Sequence, residues 1–311
     1  MSDQLFNSTG EILAPNEQIE PVVHPCLKWL GGKTQLLPVL TENLPPNWDR
    51  TKDRFIDLFF GGGAFSFSLA PNNLWINDIN PELIGLYQVI MFHVEELITW
   101  LSDKALFANT LDNYLVVRTW DRDPLVCPQA TMDEAPIVKA ARTLYLNKTC
   151  FNGLYRLNQK GYFNAHYGFH DYDANYDFEN LRAMSNFFRE KIKGLTNYSF
   201  ETWFELAMDD TIDHKGDLFY LDPPYAPLTA TANFVSYTKE KFPAGKHQML
   251  KDWMDKLTKM GCYVMQSNSN CSFIRELYRD YNVVEVAARR NVSRKGSSRA
   301  ATKCEVLIRN Y

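Results

Sequence analysis

The amino-acid sequence predicts a doubly wound α/β fold, a mostly parallel sheet with helices on both faces, interrupted by an inserted, mainly helical domain. Two observations lead there. Short apolar runs bounded by turn residues alternate with helical stretches at both ends of the chain, as expected of strands buried on both faces and joined by crossover helices. Between them, from about Asp103 to Leu195, the strand signal disappears. The expected organisation is a polar leader over 1–24, a sheet domain over 25–102 and 196–311, and an insert over 103–195.

In chain order, Arg54–Phe60 and Leu74–Asp78 read as the first two strands. Pro81–Ser102 reads as a helix because Pro81 suits a first-turn position and Glu82 follows it. Within the insert, Ala135–Leu146 is expected to be helical and is followed by an aromatic, Asn- and Gly-rich stretch. Leu218–Leu221 and Cys262–Gln266 are further buried strands. Lys246–Lys259 and Cys271–Arg279 carry apolar residues three and four apart, the helical spacing. Asn282–Ala287 and Cys304–Arg309 alternate and are expected to pair antiparallel at a sheet edge.

Composition limits the class of protein. The chain has 311 residues, 45% apolar and 23% charged, enough to bury a substantial core and unlike a disordered composition. No apolar run reaches the roughly 20 residues that span a bilayer, and the N-terminus has no signal-type stretch. A cytoplasmic, monomeric protein is expected. The six cysteines, Cys26, Cys127, Cys150, Cys262, Cys271 and Cys304, show no CxxC spacing, so neither a zinc site nor any other metal is expected. Net charge is −4, yet from Val286 onward there are seven basic residues (Arg289, Arg290, Arg294, Lys295, Arg299, Lys303, Arg309) against Glu305 alone. A basic face on an acidic protein suits an anionic partner that is released after use; a solvated surface accounts for it equally well.

"FFGGGAFSFSL" (59–69) ends the first strand with glycines, and Asp78 follows 17 residues beyond Gly61. Glycine permits close backbone approach and positive φ, and an acid at about that spacing takes the ribose hydroxyls of a nucleotide. A tight turn and a capping Asp would explain each feature singly. Together they point to a nucleoside, but not to a dinucleotide or triphosphate. Position 66 is Ser66 where a dinucleotide fingerprint needs glycine, and "GGKT" (31–34) lacks the first glycine of a phosphate loop. S-adenosylmethionine has a nucleoside and no pyrophosphate.

"DLFYLDPPYAP" (217–227) runs a buried strand into Asp222-Pro223-Pro224-Tyr225. An aromatic amine is a poor nucleophile because its lone pair is delocalised into the ring. A carboxylate and a backbone carbonyl accepting its N–H bonds would localise that pair. The two prolines fix φ and hold both acceptors convergent. Tyr225 offers a face for a displaced base, worth about 1–3 kcal/mol.

These motifs, in this order, resemble the Dam-type DNA adenine-N6 methyltransferases of the D12 class. "KWLGGK" (28–33), "DLFFGGGAF", "NDIN" (77–80), "LYLNKTCFNGLYRLNQKGYFN" and "DPPYAPLTATANFVSYTKEKF" (222–242) each match a family segment, and the likeness runs from about Leu27 to Tyr311. The resemblance implies a Rossmann-like, S-adenosylmethionine-binding sheet with a target-recognition insert, acting on duplex DNA. It implies that Trp29, Lys33, Phe59, Gly61, Gly63, Asp78 and Asp222 serve the cofactor, and that Asp222, Pro223, Pro224 and Tyr225 form the adenine pocket. Phe151 and Asn152 would wedge into the duplex, while Leu154, Arg156 and Lys28 would read bases and Arg118 would also contact DNA. An Arg can grip guanine O6 and N7 bidentately, and an aromatic wedge stabilises the gap left by a flipped base.

The sequence departs from the family after the recognition stretch. His166 replaces a proline that helps read the site, and His170 stands where a tyrosine is common. GATC is the expected target, with a relaxed site left open. Methylation of RNA adenine or of a protein amide by the same chemistry, and a non-enzymatic DNA-binding role, are the competing readings.

Overall fold

A computed structural model describes residues 22–122, 131, 134–170, 173–208, 212–228, 242–288 and 303–311. Its seven strands are β1 (Phe55–Asp57), β2 (Leu74–Asn77), β3 (Ile192–Thr196), β4 (Leu218–Leu221), β5 (Tyr263–Ser269), β6 (Asn282–Ala288) and β7 (Lys303–Arg309). They lie in the order β3-β2-β1-β4-β5-β7-β6. β1 to β5 pair parallel, and β7 runs antiparallel between β5 and β6. The order reverses between β1 and β4, the switch point where doubly wound sheets bind ligands beyond the strands' carboxyl ends.

The sheet divides the core in two because alternate residues point to opposite faces. Phe55, Leu74, Ile76, Leu218 and Tyr220 share one cluster with Leu86 and Tyr87 of helix Pro81–Phe92 and Phe188 of helix Phe178–Lys191. Ile56, Leu58, Phe219 and Leu221 share the other with Phe204 of helix Phe200–Ala207 and Leu250 and Met254 of helix Ala244–Lys259. Both faces of β4 are therefore dry, which explains its unbroken apolar run.

Some expectations need correction. The helix expected over Pro81–Ser102 is two, Pro81–Phe92 and Val94–Ser102, broken at His93 with φ −138°. The first strand ends at Asp57 rather than Phe60. The region expected to lack strands contains β3, which begins at Ile192 and pairs with β2. Lys193 and Gly194 interrupt its apolar run; it is an edge strand, and a Cβ on Gly194 would stand 2.2 Å from the Trp75 ring. The antiparallel pair β6–β7 does lie at a sheet edge, as its alternation indicates.

Among the described residues no helix is long and apolar enough to cross a membrane. Cys26, Cys150, Cys262 and Cys271 are buried free thiols; Cys127 and the Cys304 side chain lie outside the described residues. So do Arg289, Arg290, Arg294, Lys295, Arg299 and the Lys303 side chain of the basic run, and residues 229–241 after the DPPY motif.

Within the segment expected to be an insert, helix Ala135–Thr149 packs against helix Pro81–Phe92, and its Val138 and Leu144 join the same apolar cluster as Phe55 and Tyr220. Arg142, 2% exposed, ties the two parts together. Its guanidinium lies 2.8 Å from Asp121 Oδ2 and 3.5 Å from Glu82 Oε1 and donates to the carbonyls of Val117 and Arg118. A buried charge is tolerated when it is paired and bonded in this way.

Candidate active site

The glycine loop leaves β1 at the switch point. Gly61 and Gly63 have φ of +51° and +73°, which a side chain would strain. A Cβ on Gly63 would also stand 2.4 Å from Phe60 Cζ. Trp29 lies along the same turn, so that a Cβ on Gly61 or Gly62 would come within 3.1 Å of it. The Gly61 N–H donates to Asp78 Oδ2 at 2.8 Å and the Tyr87 hydroxyl donates to the Gly61 carbonyl at 2.5 Å. Asp78 Oδ1 accepts from Asn80 N–H at 2.8 Å. The acid at the end of β2 is thus locked to the loop after β1. Phe59, on the same loop, packs against Phe200 at 5.9 Å and Phe242 at 6.2 Å.

Asp222 follows β4, the strand next to β1, with Asp57 opposite Tyr220 and the Leu58 N–H donating to the Tyr220 carbonyl. Lys33 Nζ lies 2.6 Å from Asp222 Oδ2, donates to the Gly31 carbonyl at 2.8 Å, and stands 4.9 Å above the Tyr225 ring. Asp222 Oδ1 is buried and has no hydrogen-bond partner among the described residues. Pro223 is buried and Pro224 exposed. Burial pushes the Asp222 carboxyl above the ordinary range while the Lys33 ammonium opposes that shift. The Tyr225 hydroxyl donates to Glu305 Oε2 on β7 at 2.7 Å. Burial, reinforced by the Asp222 and Glu305 carboxylates, raises the Tyr225 pKa and keeps the phenol protonated.

Asp57 was not among the residues singled out from the sequence, although it directly precedes the glycine loop. It accepts from Ser66 Oγ at 2.6 Å, and its Oδ1 has no partner among the described residues. Burial is the largest cause lifting its carboxyl to about 7, with Asp222 and Asp78 adding to the shift and Lys33 opposing it. Even with the Asp57 carboxyl partly protonated at neutral pH, the acids beside it, Asp78 and Asp222, outnumber Lys33 in this site, a charge balance that suits a cationic nucleoside and would repel a pyrophosphate. Bare glycine backbone and the unpartnered Asp222 Oδ1 are consistent with such a ligand.

On the insert side, buried Asn147 holds the proposed DNA contacts beside the site. Its Oδ1 accepts from Lys28 N–H at 2.9 Å, and its Nδ2 donates to the carbonyls of Lys28 and Gly153 at 3.0 and 3.1 Å. Lys28 therefore abuts the turn Phe151–Gly153, in which Phe151 is 54% exposed and Asn152 has φ +57°. Leu154 is half-buried in a crevice with Trp29 and Tyr155. Arg156 is exposed, and Asn164 accepts two bonds from its guanidinium at 2.8 Å each. Arg118 stands apart from this group, above the Tyr114 ring and bonded to the Ala165 carbonyl at 3.4 Å. The adjacent His166 is exposed.

A switch-point site with a glycine loop, a paired acid and a rigid carboxylate loop has the form of a ligand site in a doubly wound α/β protein. The family described as D12 class N6 adenine-specific DNA methyltransferase matches residues 29–292. The chain is 35% identical to the type II methyltransferase M1.LlaDCHI of Lactococcus lactis, over 93% of this chain and 96% of that protein. It is also 35% identical to the type II methyltransferase M.MjaIII of Methanocaldococcus jannaschii, over 93% and 99% respectively. To the DNA adenine methylase of Vibrio cholerae it is 31% identical, over 88% and 91%. This chain belongs to the D12 class of N6 adenine-specific DNA methyltransferases. Membership implies a methyl donor and a DNA substrate.

Proposed function

We propose that this protein transfers a methyl group from S-adenosylmethionine to N6 of an adenine turned out of duplex DNA, with GATC as its expected site. One observation carries the reading. The Asp222 carboxylate, with one oxygen held by Lys33 and the other unpartnered, follows β4 directly and lies beside the glycine loop of β1.

S-adenosylmethionine, when bound, supplies an electrophilic methyl group on a sulfonium. Asp78 would hold its ribose hydroxyls, the loop Gly61–Gly63 its closest backbone contacts, and Trp29 and Phe59 its apolar surroundings. The surplus of acids favours its positive charge. For the adenine, Asp222 Oδ1 and the Pro223 carbonyl would each accept one N6 hydrogen. This draws the nitrogen lone pair out of conjugation and fixes its direction; the charged acceptor contributes about 1.5–3 kcal/mol, and more where water is excluded. Tyr225 would stack on the base using the ring face opposite Lys33.

The insert would supply the address. Exposed Phe151 beside Asn152 suits a wedge, Lys28 stands next to it, and Arg156, in an orientation set by Asn164, would grip a guanine. Leu154 would support this surface from its crevice beside Trp29, while Arg118, bonded to the Ala165 carbonyl, would contact DNA apart from it.

The test uses methyl-labelled cofactor offered with duplex DNA, RNA and protein substrates, followed by base-resolution mapping of methylated DNA. Label confined to adenine N6 of DNA, concentrated at GATC, is expected. Label found only in RNA or protein would overturn the reading, and label spread over many adenine contexts would replace GATC with a relaxed site.

A further inference from the structure

We propose that Glu305 is a positioning residue for Tyr225, a carboxylate that fixes the plane of the ring on which the target base stacks. The inference rests on the reading of Tyr225 given above and extends it to a residue beyond the matched family segment, which ends at 292.

The geometry restrains the ring at two points. Glu305 Oε2 accepts from the Tyr225 hydroxyl at 2.7 Å, while Lys33 Nζ stands 4.9 Å from the ring centroid. A tyrosine in a loop can rotate about its side-chain bonds; a bond at its tip together with a cation on its face removes that freedom.

The sheet sets where Glu305 stands. It lies on β7 opposite Ser269 of β5 and Val286 of β6. The same end of β5 holds the residue after Tyr225, because Asn268 Oδ1 accepts from Ala226 N–H at 3.1 Å and Ser269 Oγ donates to the Ala226 carbonyl at 2.6 Å. Leu36, Val39 and Leu40, from the segment following Lys33, wall the crevice at Glu305. Both restraints on the ring therefore come from one packed unit. Because the phenol stays protonated, Glu305 acts as its acceptor.

The experiment measures kcat and KM on duplex DNA and cofactor affinity for Glu305→Ala, Glu305→Gln, Tyr225→Phe, Tyr225→Ala and the Glu305→Ala/Tyr225→Phe double variant. Glu305→Ala is expected to lower kcat about 10- to 100-fold, the range for a hydrogen bond to a charged acceptor, with cofactor affinity and KM for DNA unchanged. Tyr225→Phe should lose the same factor and the double variant no more than either, since both remove one bond. Glu305→Gln should lose less, staying within about 10-fold of wild type, because the amide oxygen still accepts although without the charge. Should Glu305→Ala fail to fold, the contrast between Glu305→Gln and Tyr225→Phe decides. Wild-type kcat in Glu305→Ala, losses that multiply in the double variant, or a Gln variant as impaired as Phe would each overturn the role of Glu305 alone. Wild-type kcat in Tyr225→Ala would instead remove the stacking role of Tyr225, and this inference with it.

Discussion

Lys33 Nζ lies 2.6 Å from Asp222 Oδ2, and both side chains are largely buried, at 8% and 17% exposure. Neither charge is stable there without the other, so each residue has a structural as well as a chemical part. Asp222→Ala is expected to abolish methylation while DNA binding remains measurable. It should also cost about 3–5 kcal/mol of stability by leaving the Lys33 ammonium buried and unpaired. Lys33→Met in the Asp222→Ala background should recover part of that stability and none of the activity. Label-transfer assays and denaturant unfolding check both halves; full activity in Asp222→Ala would refute its role.

Asp57 gives a pH prediction. Its carboxyl in the folded protein is lifted to about 7 by burial, against an ordinary value near ~3.9. The folded state therefore binds this proton more tightly than the unfolded chain does. The resulting stabilisation is complete below about pH 4 and is withdrawn as pH rises through about 7. At about 1.4 kcal/mol per pH unit, the swing is on the order of 4 kcal/mol. Asp57→Asn, which keeps an acceptor for Ser66, should gain stability relative to wild type between these pH values. Unfolding curves at several pH values measure this, and a wild-type–variant difference that does not change with pH would contradict it.

Gly63 tests the cofactor loop. Gly63→Ala forces a side chain into φ +73° and against Phe60, so a loss of about 1–3 kcal/mol or more is expected together with weakened cofactor binding. Gly31→Ala, at φ +86° with nothing within 4 Å, carries only the backbone strain and should cost less. Thermal melts and calorimetric titration separate the two, and equal losses would contradict the steric argument.

Arg156 tests the recognition surface. Arg156→Ala should weaken discrimination at one guanine by about 1–3 kcal/mol, and more than it weakens overall binding. Asn164→Ala removes the side-chain bond to the guanidinium and leaves the one to the Asn164 carbonyl, each 2.8 Å, and should lower specificity by a smaller amount. Binding to a panel of single-base-substituted duplexes reads both; a uniform loss across sequences would count against base reading.

Much of the sheet is legible in the sequence because its strands are buried on both faces, so β1, β2, β4 and β5 stand out as apolar runs. β3 escapes because it is an edge strand with Gly194 under Trp75, and the break at His93 has no local punctuation. In the site, Asp222, Lys33 and the glycine loop are readable as motifs. Glu305 and the Arg142–Asp121–Glu82 cluster are not, since each depends on partners brought together by tertiary packing: Tyr225 and Glu305 are 80 positions apart, and Arg142 and Glu82 are on separate helices. Asp57 had a local cue, its place just before the glycines, but only burial reveals its unusual acidity.

The pairing of β1 with β4 joins residues far apart in the chain, Phe55 opposite Leu218. Adjacent strands, and not the intervening chain, hold the methyl-transfer chemistry in register. Lengthening a flexible connection is cheap, about 0.6 kcal/mol for each doubling. Under the function proposed above, the ladder keeps the reactive atoms in place whatever the length of the chain between these strands, so the segments that join them can vary without rebuilding the catalyst.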